Sequence, residues 1–259
     1  MGASRMSTQH EYLTYVDDQG RVETYEEHVL AMFSEWNKIR QRIISPLIRL
    51  YDCSSEHADF FIKSIILMHD LGKLTDIYQE YLSKRKPGTE GPLDYRHEFV
   101  SAIWHFCTFK DVYQEKFGEI YKNILSEAMA AIITHHEYWA QWRTKNYRPD
   151  YIMSHLNKWF KEKITLVSGS GELIFHMAEN LIRTRIQMTE QILIKKEAYE
   201  ALRVMNNHID RKGAVAHKVA IRATALLQIL CICDIRAAQR RGEKSSPYIK
   251  EVCEGGLLG

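Results

Sequence analysis

Seven histidine and aspartate residues stand in a fixed order along this chain, each in or beside an apolar stretch with helical spacing. Imidazole and carboxylate groups cost several kcal/mol to bury without a partner, and a divalent metal ion pairs with both. Seven donors exceed the four ligands of one tetrahedral ion and suit two ions that share a carboxylate. The pattern therefore predicts a dinuclear centre for hydrolysis. The seven residues are His28, His69, Asp70, His97, His135, His136 and Asp234.

The apolar stretch that ends in His69 and Asp70 is the most specific part of the pattern. It predicts a helix that delivers both side chains near its C-terminal end, with Gly72 allowing the backbone to turn. Neighbouring helical residues point about 100° apart, so the pair can address two adjacent ions with Asp70 as the bridge. Lys73 lies on the same side if the helix continues, where its charge can hold a phosphate oxygen. For an isolated pair, a hydrogen-bonded helix end is the alternative.

The remaining histidines of the set differ in how strongly they indicate a metal. His135 and His136 close an apolar run, and two buried neighbouring histidines would repel each other if protonated. Metal binding requires both rings to be neutral, which removes that repulsion. His97 stands at the expected start of a helix, where a histidine taken alone is more often exposed than a ligand. Its place in the ordered set favours the ligand.

Asp234 comes late in an almost wholly apolar helical stretch. An unpaired carboxylate there would be protonated or driven out to water, so it needs a cation as partner. A metal ion is one such partner. A structural salt bridge to Arg222 or Arg236 is the alternative.

The segment that follows His136 interleaves aromatic rings with arginine and lysine. Single-stranded nucleic acid requires this combination, because bases stack on rings and phosphates meet cations. A loop that packs its tryptophans into the core explains the composition equally well. The residues predicted to bind nucleic acid are Trp139, Trp142, Arg143, Lys145 and Arg148.

Helices are predicted to carry these residues. Thr24, with Glu27 three residues later, forms a capping-box pattern that places His28 in the first turns of a helix. Before it, alternation around a Gly-ended polar turn predicts a small hairpin. Apolar spacing predicts further helices at about 38–52, 56–71, 75–86, 97–110, 120–137, 150–163, 172–206 (broken) and 214–241.

The predicted organisation is one all-α domain, a single helical bundle with a small N-terminal β-hairpin. No repeat, low-complexity tract or long linker divides the chain. We expect an N-terminal segment with the hairpin over 1–21, the domain itself over 22–241 and a C-terminal tail over 242–259.

Composition excludes several classes of protein. The 259 residues are 45% hydrophobic and 26% charged, which supports a sizeable core. The formal net charge of +2 means that any contact with nucleic acid must come from a local patch. No run approaches the roughly 20 apolar residues of a membrane span, and the first residues lack a secretory signal. Five cysteines without a C-x-x-C pair indicate free thiols. We therefore expect a cytoplasmic protein with no membrane partner.

The ordered histidine and aspartate set resembles the HD-domain superfamily of metal-dependent phosphohydrolases. More narrowly, it resembles the stand-alone HD nuclease subunit of type I CRISPR interference systems. The resemblance covers roughly residues 22–241 and implies the HD-domain helical bundle. The narrower match rests on Tyr25-Glu-Glu-His28, His69-Asp-Leu-Gly-Lys73, Gln79-Glu80-Tyr81-Leu82, Arg96-His97-Glu98 with Ser101-Ala102, and His135-His136.

The resemblance implies metal-dependent cleavage of DNA, chiefly of single strands. In that family the HD domain is often fused to a helicase, but this chain has no Gly-x-x-x-x-Gly-Lys-Ser/Thr motif and is too short to hold one. We therefore expect a separate helicase subunit and an RNA-guided surveillance complex as partners. The serine often found near the last aspartate is missing here. The implied ligands are His28, His69, Asp70 and Asp234 for one ion, and Asp70, His97, His135 and His136 for the other.

The ligand types indicate which ions would bind. Mixed imidazole and carboxylate ligands suit Mn²⁺, Co²⁺, Ni²⁺ or Fe²⁺ better than Mg²⁺, which prefers oxygen ligands. Asp70, as the shared ligand, and Lys73, as a cation facing the developing negative charge, are the predicted catalytic residues. Two rival functions are a nucleotide-specific HD phosphohydrolase, which needs a closed pocket, and a non-catalytic scaffold of the interference complex.

Overall fold

The computed structural model of the chain describes residues 12–16, 21–84, 95–136, 148–160, 163–186, 192–209 and 214–240. These residues are predominantly helical, which confirms the predicted all-α class. Short 3₁₀ turns occupy Leu71–Leu74 and Gly118–Ile120. The helices are α1 (Tyr25–Tyr51), α2 (Ser55–Met68), α3 (Asp76–Lys84), α4 (His97–Phe117), α5 (Tyr121–Thr134), α6 (Pro149–Trp159), α7 (Ser170–Ile182), α8 (Lys195–Ile209) and α9 (Ala214–Arg240).

Helix α1 begins at the capping box that the sequence predicts. The Thr24 side chain accepts a hydrogen bond from the Glu27 amide at 3.2 Å, and the Thr24 amide donates to Glu27 Oε2 at 2.9 Å. This cap places the helix start at Tyr25, so one long helix includes the stretch expected over 38–52. Pro46 lies within α1 without ending it. His28 is thereby held in the first turns of the helix and is buried.

Helix α5 is the centre of the domain. Every residue from Ile124 to Thr134 is buried, so this helix has no exposed stripe. It packs against α4, α8 and α9, while α1 packs against α2 and α9. The end of α5, where the histidine pair follows, is therefore held by neighbours on several sides.

Two small antiparallel strand pairs accompany the helices. Strands β1 (Leu13–Val16) and β2 (Val22–Thr24) confirm the predicted N-terminal hairpin. Strands β3 (Lys163–Thr165) and β4 (Ile192–Ile194) form the second pair, which the sequence analysis missed. Strands of three residues are too short to show a clear alternating pattern.

Several predicted helix boundaries were wrong. The stretch expected as a broken helix over 172–206 is two helices, since α7 ends where Arg183 takes a left-handed conformation with φ of 52° and β4 precedes α8. Helix α6 ends at Trp159, before the expected 163, and α4 continues to Phe117, beyond the expected 110. Helix α2 ends at Met68, so His69 and Asp70 lie just past it.

The state of the cysteines and the character of the helices bear on two expectations from composition. Among the described residues, Cys53, Cys107, Cys231 and Cys233 are free thiols, and Cys253 lies outside them. No helix in the described ranges combines the length and the apolar character needed to cross a bilayer.

Candidate metal centre

The seven predicted metal ligands converge at one place in the fold. Their side chains come from the start of α1, the turn after α2, the first residue of α4, the end of α5 and the last third of α9. They form two groups, and within each group one donor atom per residue lies within 4.8 Å of the others. The groups are Asp70, His97, His135 and His136, and His28, His69 and Asp234.

Asp70 lies between the two groups and presents one carboxylate oxygen to each. Oδ1 lies 3.1 Å from Nε2 of His97 and 3.6 Å from Nε2 of His135. Oδ2 lies 3.5 Å from Nε2 of His69 and 3.7 Å from Nε2 of His28. This arrangement has the form expected of a carboxylate that bridges two ions.

The charge at Asp70 is stabilised in the folded chain. Burial alone would raise the pKa of Asp70, but the Lys73 ammonium and the surrounding histidines hold that pKa well below its usual value. Lys73 donates a hydrogen bond to Oδ2 at 2.7 Å. Burial likewise opposes the charge on Asp234, but the adjacent His28 ring lowers the pKa of Asp234. Both carboxylates are therefore ionised at neutral pH, as metal ligands must be.

Two histidines point an unused nitrogen into the cluster. Nδ1 of His69 lies 2.9 Å from the Ile66 carbonyl, and Nδ1 of His135 lies 2.5 Å from the Ile132 carbonyl. Each ring therefore carries its proton on Nδ1 and directs the lone pair of Nε2 inward. These two Nε2 atoms are buried and have no hydrogen-bond partner among the described residues. A buried lone pair of this kind fits a metal ligand.

The protonation of the histidines depends on their neighbours. Burial lowers the pKa of His69 to about 4, and it lowers the pKa values of His97 and His136 as well. Burial also opposes the charge on His28 and His135. There, the charges of the nearby carboxylates outweigh it. Asp234 and Glu23 raise the pKa of His28 to about 9, and Asp70 raises the pKa of His135 above its usual value. The cluster therefore combines neutral donors with rings that must release a proton when a metal ion binds.

Gly72 is required by the close packing of α4 against the turn after α2. A Cβ at this position would lie 2.1 Å from the carbonyl oxygen of His97. The Gly72 amide donates to Ser101 Oγ at 2.8 Å, which holds the two segments together. The φ angle of Gly72 is not in the left-handed region, so space beside His97, rather than freedom to turn, explains the glycine.

The carboxylate of Asp234 pairs with a histidine of the cluster. Oδ1 of Asp234 lies 3.3 Å from Nε2 of His28. Arg222 instead donates to the Leu50 carbonyl at 2.9 Å and lies 3.9 Å from Glu127. Among the described residues, Asp234 therefore pairs with His28 of the cluster, and it forms no salt bridge with Arg222 or Arg236.

Most of the predicted nucleic-acid-binding segment cannot be placed. Trp139, Trp142, Arg143 and Lys145 lie outside the described residues. Arg148 immediately precedes α6 and is exposed. Binding of nucleic acid by these five residues remains a prediction.

Three residues that border the cluster were not predicted as site residues from the sequence. Glu23 Oε2 lies 3.1 Å from Nδ1 of His28, and Glu98 Oε2 lies 3.6 Å from Nδ1 of His97. The ring of Tyr78 packs edge to face against that of His97, with centroids 5.6 Å apart. Glu23 lies on a strand and its histidine on a helix, so no periodic pattern could have connected them. Of the three, Glu98 could have been predicted, because it directly follows the predicted ligand His97.

Two buried histidines outside the cluster have partners in the core. His105 Nε2 lies 3.2 Å from Ser64 Oγ, which also contacts the Tyr113 hydroxyl at 2.7 Å. His208 Nε2 lies 3.1 Å from Oε1 of the fully buried Glu127. These contacts explain both rings as part of the packed interior.

The helical fold and the ordered cluster are the features that the resemblance to the HD-domain proteins predicts. No family model matches the chain. Two proteins named CRISPR-associated endonuclease Cas3-HD are similar to it over most of their length. The one from Pyrococcus furiosus is 26% identical over 245 residues, covering 89% of this chain and 94% of that protein. The one from Methanocaldococcus jannaschii is 25% identical over 238 residues, covering 88% and 90%.

A solved structure shows the same fold. The CRISPR-associated Cas3 HD domain protein from Methanocaldococcus jannaschii superimposes with a TM-score of 0.60 at 21% identity, covering 85% of this chain and 98% of that one. Together these matches confirm the resemblance to the HD proteins of CRISPR systems: this chain is similar to the Cas3-HD proteins in sequence and in fold.

Proposed function

We propose that this chain is a metal-dependent, CRISPR-associated nuclease that hydrolyses phosphodiester bonds of DNA, mainly in single strands. The observation that carries the proposal is the placement of Asp70, with one carboxylate oxygen toward each of two donor groups. A pair of divalent ions, when bound, supplies an activated water and stabilises charge on the attacking and leaving oxygens. The endonuclease names of relatives that match most of the chain support the same activity.

The donor groups divide the proposed ligands between two ions. His28, His69 and Asp234 would hold one ion with Oδ2 of Asp70, and His97, His135 and His136 would hold the other with Oδ1. The predominance of imidazole favours Mn²⁺, Co²⁺, Ni²⁺ or Fe²⁺ over Mg²⁺.

Lys73 is the proposed cation for the phosphate. Burial disfavours its charge, but Asp70 more than compensates and raises the pKa of Lys73, so the ammonium stays protonated. The group has three donor hydrogens, and the contact with Asp70 uses one of them. The side chain is 15% exposed, which leaves a path from solvent to the remaining donors.

The edge of the cluster supports a strand as substrate. His136 as a residue is exposed, although its ring packs against those of His97 and His135, so the centre opens to solvent on that side. The partly buried Tyr78 packs against His97, and Tyr81 packs against Tyr78 with ring centroids 5.9 Å apart. Aromatic rings beside an open centre can stack the bases of a strand that passes across it.

Partner subunits would deliver the strand. The formal net charge of +2 gives the whole molecule little long-range attraction for DNA. This property fits a nuclease that receives an unwound strand from a separate helicase recruited by an RNA-guided surveillance complex.

Cleavage by the purified chain tests the activity. We expect Mn²⁺-dependent cuts in circular single-stranded DNA, loss of activity with EDTA, and loss of activity in Asp70→Asn. Circular single-stranded RNA, covalently closed duplex DNA and a panel of nucleotides are the comparison substrates. Hydrolysis of nucleotides alone would establish the nucleotide phosphohydrolase instead. Two bound ions without turnover of any substrate would indicate the non-catalytic scaffold.

A further inference from the structure

We propose that Glu23 is a positioning residue of the metal centre, whose carboxylate holds Nδ1 of His28 so that Nε2 faces Asp70 and Asp234. The Glu23 Oε2 atom forms an ion-pair contact with Nδ1 of His28 at 3.1 Å, and their side chains are only 10% and 2% exposed. On the opposite edge of the ring, Nε2 lies 3.3 Å from Asp234 and 3.7 Å from Asp70. The inference rests on the proposed function, because it assumes an ion at this group of donors.

The position of His28 in its helix explains why a side chain must supply the acceptor. His69 and His135 follow the ends of α2 and α5, where the last carbonyls of a helix have no intrahelical partner, and their Nδ1 atoms contact those carbonyls. His28 lies in the first turns of α1, where the free backbone groups are N–H donors and the carbonyls are already used. A carboxylate from outside the helix fills this need.

The N-terminal hairpin holds Glu23 in place. The hydroxyl of Thr14 on β1 donates to the Glu23 carbonyl at 3.1 Å. Gln79 of α3 pairs with both backbone groups of Leu13, accepting at 3.1 Å and donating at 2.6 Å. Strand β1 is therefore fixed to the segment that follows the His69-Asp70 turn. The hairpin thus carries a residue that reaches into the metal centre.

A carboxylate behind an imidazole ligand does more than fix the ring. It selects the tautomer with the proton on Nδ1 and makes Nε2 a stronger donor to a metal. Loss of such a partner typically weakens metal binding by about 10- to 100-fold. The effect should be confined to the ion held by His28, since the other group contains no ligand that contacts Glu23.

Glu98 provides a comparison inside the same centre. It follows His97, the first residue of α4, but its Oε2 lies 3.6 Å from Nδ1 of that ring, too far for a hydrogen bond. Its other oxygen pairs with Arg96. We therefore expect Glu98→Gln to change metal affinity less than Glu23→Gln does.

Titration with Mn²⁺ alone tests the proposal, by calorimetry and by the electron paramagnetic resonance signal of a coupled Mn²⁺ pair. Wild type should bind two ions and show the coupled signal. Glu23→Gln should keep one ion, bind the other about 10- to 100-fold more weakly and lose the coupled signal at limiting Mn²⁺. Glu26→Gln, an exposed change in the first turn of α1, is the matched control and should behave like wild type. Glu23→Asp keeps the charge but holds it farther from His28. Its affinity for the weakened ion should therefore lie between those of Glu23→Gln and wild type.

The outcomes separate this inference from the proposed function. Wild type that binds fewer than two ions would overturn the dinuclear centre itself. Two ions in wild type with unchanged affinities in Glu23→Gln would overturn the role of Glu23 alone. Equal weakening of both ions with a lower unfolding midpoint, in both Glu23 variants, would show that Glu23 only stabilises the hairpin, which also overturns it.

Discussion

At the scale of single residues, the two donor groups depend on the carboxylate of Asp70. Its oxygens face different histidines, and its charge is maintained against burial mainly by Lys73. The residue types and their order predict the seven donors, because apolar helices do not retain unpaired imidazole and carboxylate groups. The direction of each nitrogen, and the contact of Glu23 with His28, could not be predicted, since they depend on which atoms meet across separate elements.

A variant at Lys73 tests whether this side chain stabilises the transition state or supports the metal ligands. We expect Lys73→Gln to lower kcat by about 10²–10³-fold, because a positive charge aimed at the transition state is removed. The variant should still bind two Mn²⁺ ions. Its affinity for them should be no weaker than that of wild type, because a cation that repels them has been removed. Single-turnover cleavage and Mn²⁺ titration measure the two effects. Lys73→Arg, which keeps the charge, is the matched control. A parallel loss of metal and activity would instead make Lys73 a residue that supports the ligands.

At the scale of elements, the packing of α4 against the turn after α2 places His97. We expect Gly72→Ala to destabilise the fold by about 1–3 kcal/mol, because the new Cβ would lie 2.1 Å from the His97 carbonyl oxygen. Displacing His97 should also weaken one of the two ions. Urea unfolding and Mn²⁺ titration measure these changes. Gly118→Ala is the control, since its φ of +55° strains the backbone but nothing lies within 4 Å of the added Cβ. Through backbone strain alone, it should lower stability by about 1–3 kcal/mol with both ions retained.

Asp59 of α2 connects that helix to α1. It accepts hydrogen bonds from Trp36 Nε1 at 2.9 Å and Arg40 Nε at 2.7 Å, and pairs with Lys63 at 2.9 Å. Burial alone would raise the pKa of Asp59, but these partners lower it overall. A lowered folded-state pKa adds stability that is present above the unfolded value of about 4 and disappears as pH falls through the folded value.

We therefore expect Asp59→Asn to lower the free energy of unfolding by about 1–2 kcal/mol at pH 7. The difference from wild type should shrink as pH falls below about 4, where the carboxyl of the unfolded chain becomes protonated, and should disappear below the lower pKa of the folded chain. Urea unfolding curves at several pH values measure this dependence. A pH-independent difference would show that shape, rather than charge, explains the effect. Cleavage should be unchanged at pH 7.

The elements show what local signals can and cannot predict. The start of α1 follows from Thr24 and Glu27, and the apolar run of α5 is long enough to identify a buried helix. Strands β3 and β4 could not be predicted, because each has three residues and is stabilised by a partner almost thirty positions away. The reason for Gly72 lies in a contact with residue 97, which only the folded chain reveals.

At the scale of the whole molecule, the centre connects distant parts of the chain, from His28 on α1 to Asp234 on α9. Ions bound there would link helices that otherwise meet through side-chain packing. We expect saturating Mn²⁺, at about 100 times its Kd, to stabilise the fold by about 2.7 kcal/mol per site. This corresponds to a rise in Tm of about 5 to 10 °C per site, or about 10 to 20 °C for both, which EDTA should reverse. Asp70→Asn should show a smaller rise. Equal shifts in wild type and Asp70→Asn would indicate binding elsewhere.

We expect the segment after His136 to hold a strand of DNA on a molecule whose formal net charge is only +2. Weak overall attraction leaves local stacking and phosphate contacts to hold the strand beside the centre, and stacking contributes about 1–3 kcal/mol per base. We expect a Trp139→Ala, Trp142→Ala double variant to raise KM for circular single-stranded DNA at least about tenfold, with kcat and both bound Mn²⁺ ions unchanged. Tyr199→Ala is the matched control, since it removes an exposed ring from α8, which carries none of the seven donors. A fall in thermal stability with KM unchanged would mean that the tryptophans pack into the core, and the strand would then have to bind on another face of the molecule.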